Sequence, residues 1–163
     1  MMSKEEKFVQ LIQQHQGLIF KITSVYMDNK PDREDLYQDI VYQLWKSFDS
    51  FRNESKISTW MYRIALNTAL TKIKQGKRNP SGNGIENFSL KQPDDYDDTF
   101  EQQLKEVYVQ INQLNVLDKG IMLMLLDGKK YEEIAEVVGI SASNVGTRIS
   151  RIKQKLKNNI VKK

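Results

Sequence analysis

The sequence predicts an all-α protein: two small helical modules joined by a flexible linker, the second module a helix-turn-helix. Three observations carry that expectation. Apolar residues recur at three- and four-residue spacing over most of the chain, the period of a helix with one buried face. The spacing vanishes across residues 79–100, where Pro, Gly, Ser, Asn and Asp take over. Residues 131–156, YEEIAEVVGISASNVGTRISRIKQKL, then place two short amphipathic stretches either side of a glycine.

The first helix is expected over residues 5–27, where Phe8, Leu11, Ile12, Leu18, Ile19, Ile22, Val25 and Tyr26 keep roughly helical spacing. His15, the single histidine, has no partner set for catalysis or metal binding and reads as a surface or half-buried residue. Asp28-Asn29-Lys30-Pro31 is a turn, and Pro31 suits the first position of the next helix. Asp32, Glu34 and Asp35 set negative charge at the positive end of that helix's dipole. Its inner side is Leu36, Ile40, Val41, Leu44 and Phe48; its outer side is Asp35, Gln38, Asp39, Tyr42 and Lys46. Such a polar stripe around one tyrosine suits either a docking surface or a plain solvated face.

A polar loop over residues 49–58 leads to a third helix over residues 59–78, TWMYRIALNTALTKIKQGKR. Ile57, Trp60, Met61, Ile64, Ala65 and Thr68 cluster inward, while Arg63, Asn67 and Lys74 form an outer stripe with Trp60 at its edge. Lys72, Lys77 and Arg78 add charge. Basic residues beside aromatics can hold phosphates while bases stack or enter pockets. Core packing is the competing role for Trp60 and Tyr62, and Trp60 can serve both.

The first module thus spans 5–78, the linker 79–100 and the second module 101–160. The second opens with a helix near 101–114 bearing Leu104, Val107, Tyr108, Ile111 and Leu114. Asp118 is the expected cap of LDKGIMLMLLDG, whose IMLMLL run should be buried, its methionines serving as core filler. In the helix-turn-helix, Ile134, Ala135 and Val138 form one apolar stripe and Gly139 ends that helix. Ser141 is the expected N-cap of the next, which repeats Val145, Ile149, Ile152 and Leu156. Opposite them lie Ser143, Thr147, Ser150, Arg151 and Gln154, with Arg148 on the flank. Two short helices with a glycine turn, the second polar and basic outside, fit a DNA-reading helix-turn-helix; an ordinary helical hairpin is the plainer alternative.

Composition narrows the function. The 163 residues carry a formal net charge of +4, with 39% hydrophobic and 28% charged residues, enough for one ordinary domain or two small ones. From Lys129 onward there are nine Lys or Arg against three Glu (Glu132, Glu133 and Glu136), which concentrates positive potential around the helix-turn-helix. The absence of cysteine excludes disulfides, a thiolate zinc site and a cysteine nucleophile. There is no phosphate-cradling glycine loop and no Ser/His/Asp arrangement, so neither an enzyme nor a metal or cofactor is expected. No signal peptide and no apolar run of about 18 residues is present, so membrane insertion is not expected and a cytoplasmic location is.

Two blocks carry a family resemblance. DREDLYQDIVYQLWKSFDSFRNESKISTWMYRIALNTALTKIK (32–74) and YEEIAEVVGISASNVGTRISRIKQKLK (131–157) resemble the extracytoplasmic-function sigma factors, the smallest bacterial sigma factors, in order and spacing. The resemblance implies two modules riding on core RNA polymerase, the first for the minus-ten and the second for the minus-thirty-five promoter element. It implies that Asp35, Gln38, Asp39 and Tyr42 dock on the clamp helices of the largest polymerase subunit, with the flap of the second largest as a further contact. It places the single-stranded non-template strand, with a flipped-out base, on Arg52, Asn53, Lys56, Trp60, Arg63 and Asn67, and Lys74 on the same outer stripe is a further DNA-binding candidate. It lays the recognition helix in the duplex major groove through Ser143, Asn144, Thr147, Arg148 and Arg151, and it leaves room for an anti-sigma factor as a partner. Two departures stand out. Leu114-Asn115 replaces the family's Leu-Pro, and Gly146 replaces a basic residue after the recognition-helix valine, which gives up a charge and leaves room for backbone to approach DNA. Two other readings compete: a free-standing helix-turn-helix regulator with a helical sensor or dimerisation domain, and a helical adaptor. The Trp60–Asn67 block argues against the first, and the basic recognition helix against the second.

Overall fold

The computed structural model describes residues 1–51, 56–76 and 106–161. Every regular element among them is helical. The expected linker, 79–100, lies outside the described residues.

Helix α1 (Lys4–Gln14) starts at a reciprocal cap: the Ser3 hydroxyl accepts from the Glu6 amide and the Glu6 carboxylate accepts from the Ser3 amide, both at 3.1 Å. Helix α2 (Gln16–Tyr26) follows directly. The single helix expected over 5–27 is therefore two. The chain leaves helical geometry at His15 (φ −122°, ψ 24°), which is half-buried. The break falls in the run Gln13-Gln14-His15-Gln16-Gly17, which has no apolar side chain to anchor a turn and includes a poor helix former. Either side of it both helices reach the core. The Phe8 ring meets Trp45 and Phe48 edge-on at 5.1 and 5.3 Å, and Ile19 and Ile22 are fully buried.

Helix α3 (Lys30–Ser47) is capped by Asn29, whose side chain accepts from the Asp32 amide at 2.9 Å, with Pro31 in the first turn. It buries Leu36, Ile40 and Leu44 completely and ends in a single 3-10 turn, Phe48–Ser50. Helix α4 (Ile57–Lys74) lays Met61, Ala65 and Ala69 against it. In the second module residues 106–112 are helical (α5), followed by α6 (Val116–Leu126), α7 (Tyr131–Val138) and α8 (Ala142–Val161).

Two details of α6 differ from expectation. Its N-cap is Asn115, whose side chain accepts from the Asp118 amide at 2.9 Å, and Asp118 sits in the first turn. The asparagine that departs from Leu-Pro thus supplies a capping oxygen that proline cannot. The apolar run is buried from Ile121 to Met124, but Leu126 is 51% exposed because the helix ends there and turns at Asp127-Gly128.

The modules are packed into one continuous core. The Tyr26 hydroxyl of α2 donates to the Val116 carbonyl of α6 at 2.7 Å, ninety residues along the chain. This close approach requires Gly120: a Cβ there would lie 3.1 Å from the Tyr26 hydroxyl and 3.4 Å from Leu66. Arg33 donates to the carbonyls of Met27 and Ser24, while Lys119 of α6 donates to the Val25 carbonyl across the seam at 3.3 Å. Both cations thereby meet the negative end of α2.

Candidate nucleic-acid interface

The recognition helix is built from its start. Gly139 takes φ 80°, the left-handed conformation that ends α7. The Ser141 hydroxyl then accepts from the Asn144 amide at 3.0 Å, the expected cap. Val145, Ile149 and Ile152 are buried, which turns Ser143, Asn144, Thr147, Ser150, Arg151 and Gln154 to solvent. Thr147 is turned back, its hydroxyl donating to the Ser143 carbonyl at 3.2 Å. Arg148 is not on this open face: it pairs with Asp118 of α6 at 2.8 Å, which fastens α8 to the helix beneath.

Gly146 has a packing role. A Cβ there would meet the Tyr131 ring of α7 at 3.3 Å, so the ring lies against the α8 backbone at this residue. The backbone side of Gly146 therefore already has a neighbour within the module.

On α4, Asn67 and Lys74 are exposed. Lys56 is exposed just before the helix, with its ammonium 3.9 Å from Glu133 of α7. Arg63 is half-buried and pairs with Glu136 of α7 at 2.8 Å. Trp60 is only 7% exposed, stacked obliquely on Phe51 at 5.1 Å, so its core role is realised in this conformation. Arg52 and Asn53 lie outside the described residues. Arg63 and Asn67 also line a groove of about 530 Å³ between the modules, floored by Leu66, Gly120 and Val138.

The α3 stripe is open at Gln38 and Tyr42, the latter 57% exposed with the Lys46 ammonium 5.4 Å over its ring. Asp35 and Asp39 have a second task. Both carboxylates hold Lys72 of α4, Asp35 at 2.6 Å and Asp39 in a still closer contact, and the Lys72 side chain is only 10% exposed. Burial pulls the Lys72 ammonium towards neutrality, but the two carboxylates outweigh it and raise its pKa above the ordinary lysine value. Lys72 was readable as more than added charge, since it continues the inner spacing of Met61, Ala65 and Ala69. Glu133, Glu136 and Lys119 were not singled out in advance, and only the meeting of the modules gives them partners.

A helix-turn-helix with an open polar face, joined to a helical module bearing a cationic stripe, defines the class: a two-module helical protein with surfaces suited to DNA. Comparison with known proteins makes this specific. Residues 11–79 match the family model for sigma-70 region 2, and residues 104–156 match that for sigma-70 region 4. The chain is 30% identical to the ECF RNA polymerase sigma-E factor of Haemophilus influenzae, over 96% of this chain and 88% of the relative. It is 31% identical to the factor of the same name from Escherichia coli K12, over 96% and 87%. Two solved structures share the fold at 21% identity: CnrH in complex with the cytosolic domain of CnrY (TM-score 0.68, covering 97% and 90% of the two chains) and sigma factor RpoE in complex with anti-sigma factor NepR from Bartonella quintana (0.70, 93% and 95%). The chain belongs to the extracytoplasmic-function sigma factors of the sigma-70 family, non-enzymatic factors of transcription initiation. Matches to both regions disfavour the free-standing regulator. Among the described residues no helix is long and apolar enough to cross a membrane.

Proposed function

We propose that this sigma factor divides promoter recognition between its modules at the residues named above. The first module, 5–78, docks on core polymerase through Gln38 and Tyr42 with Asp35 and Asp39 alongside, and takes the non-template strand on Lys56, Trp60, Arg63, Asn67 and Lys74, together with Arg52 and Asn53. The second, 101–160, reads duplex through Ser143, Asn144, Thr147 and Arg151, while Arg148 holds the recognition helix in place. The observation that carries this is the match of both modules, in order, to the two regions of one family, each module presenting a polar helix face within the matched residues. Nothing is melted by the factor alone: within the holoenzyme, captured bases offset an unstacking cost of a few kcal/mol. An anti-sigma partner is consistent with the complexes seen for the structural neighbours.

The test separates the faces. Holoenzyme carrying Arg151→Ala should lose duplex engagement at the minus-thirty-five element, by about 1–3 kcal/mol if the guanidinium makes a bidentate base contact. It should still initiate on a promoter supplied already melted around the minus-ten element. Holoenzyme carrying Arg63→Ala with Asn67→Ala should bind duplex promoter nearly normally but show few permanganate-reactive thymines. Normal opening by the second variant, with failure of the first on premelted DNA, would reverse the assignment.

A further inference from the structure

The surfaces assigned to DNA and to polymerase are in different states. Ser143, Asn144, Thr147 and Arg151 on α8 are exposed, as are Gln38 and Tyr42 on α3. The first half of α4, in contrast, is met by α7. Glu136 pairs with Arg63 at 2.8 Å. The Glu133 carboxylate accepts from the Thr59 hydroxyl at 3.1 Å and lies 3.9 Å from the Lys56 ammonium. Lys129, just ahead of α7, donates to the Ser58 hydroxyl. Glu133 is fixed before it meets α4, because it accepts from the Lys130 amide at 3.0 Å in the first turn of its own helix. Its carboxyl is held below the usual range, first by that amide and further by Thr59 and the neighbouring lysines.

We infer that the free protein is closed on itself, with Glu133 and Glu136 of the helix-turn-helix standing where the phosphates of single-stranded DNA would meet Lys56 and Arg63. The two carboxylates are spaced three residues apart on one face of α7 and pair with two cations of the α4 surface, so a bound strand and a docked α7 exclude one another. The duplex-reading face and the α3 face stay accessible in the closed form. A closed factor can therefore reach polymerase while remaining unable to take a single strand, and release of α7 comes afterwards. The inference rests on the assignment of α4 to the non-template strand.

The chain has no cysteine, so Glu34→Cys and Lys153→Cys on exposed turns of α3 and α8 can carry spin labels in the otherwise intact protein. Inter-module distances are read by pulsed electron resonance. Affinity for a fluorescent oligothymidylate of about 12 nucleotides is read by anisotropy at low salt. Glu133→Gln with Glu136→Gln, which keeps a capping side chain at position 133, should shift the distances outward and tighten oligonucleotide binding by about tenfold, the scale that two partly exposed ion pairs allow. Unchanged distances would overturn the inference, as would opening without tighter binding. So would an equal gain from Glu132→Gln, which removes one charge from the exposed side of the same helix. The assignment of α4 is judged separately by the Arg63 and Asn67 holoenzyme, whose opening defect does not depend on α7.

Discussion

At the scale of single residues, Gly146 shows how a local rule gives way to a neighbour. Glycine inside a helix costs about 1 kcal/mol relative to alanine, and Gly146 sits in the second turn of the recognition helix. The Tyr131 ring occupies the space a Cβ would take, at 3.3 Å, yet that ring is 39% exposed and can swing outward by a few tenths of an ångström. Gly146→Ala should therefore gain most of the helical term and lose little to the contact, raising stability by up to about 1 kcal/mol in urea unfolding. Adding Tyr131→Ala should remove the residual conflict, so the two changes should not be additive. A clear loss of stability in Gly146→Ala would mean that the ring is held firmly and that α7 and α8 cannot adjust. Asn115 is a parallel case. In the sequence it stood only as a departure from a family pattern; in the fold it caps α6.

At the scale of helices, periodicity located the elements because each buries one face, and a buried face leaves a spacing in the sequence. Leu36, Ile40 and Leu44 on α3, and Val145, Ile149 and Ile152 on α8, are buried as their spacing required. The glycine and serine of the helix-turn-helix were equally legible, since a left-handed turn and a capping hydroxyl each demand particular residues. What spacing could not reveal is which polar face meets another. The break at His15 escaped notice because helical apolar spacing stops at Ile12 and resumes at Leu18, so the polar run between read as one solvated turn of a longer helix. The double role of Asp35 and Asp39 escaped because it depends on Lys72, thirty-three residues beyond Asp39. That second role alters the mutational test of the polymerase face. Asp35→Ala with Asp39→Ala leaves a buried ammonium without its carboxylates and should cost about 1–3 kcal/mol of stability. Weaker polymerase binding by that variant would then mix docking with unfolding. Tyr42→Ala removes an exposed ring and should change stability by no more than about 0.5 kcal/mol. It should nevertheless weaken binding to core polymerase in a titration. Full affinity in the folded Tyr42 variant would take this stripe out of the interface, and an unchanged urea midpoint in the Asp35/Asp39 variant would remove the proposed staple.

At the scale of the whole molecule, the balance between closed and open forms carries a pH dependence set at the seam. Lys119 is fully buried there, donating to the Val25 carbonyl and to the Asn112 side chain at 3.3 Å each, with its ammonium 5.7 Å from the centre of the Tyr26 ring. Burial pulls its pKa down to about 8, against partial support from the Asp28 carboxylate. A lysine whose pKa falls on closure opposes closure whenever it is charged. The penalty is full below pH 8 and fades as pH rises from about 8 towards the ordinary lysine value of 10.5. A shift of this size is worth on the order of 3 kcal/mol. Burial pushes the adjacent Tyr26 hydroxyl up and out of this range, and Arg33, also facing Asp28, stays charged throughout. The lowering of the Glu133 carboxyl comes first from the Lys130 amide of its own helix, which it keeps in either form, so the pH window that belongs to closure is that of Lys119. Closure should therefore strengthen as pH rises above about 8. In the spin-labelled protein the short-distance population should grow between about pH 7 and pH 9.5. Lys119→Met, whatever its effect on the absolute population, should flatten that slope. An equal population at both pH values in the parent protein would show that Lys119 is no more buried in the closed form than in the open one, and that the seam is not the source of any pH response.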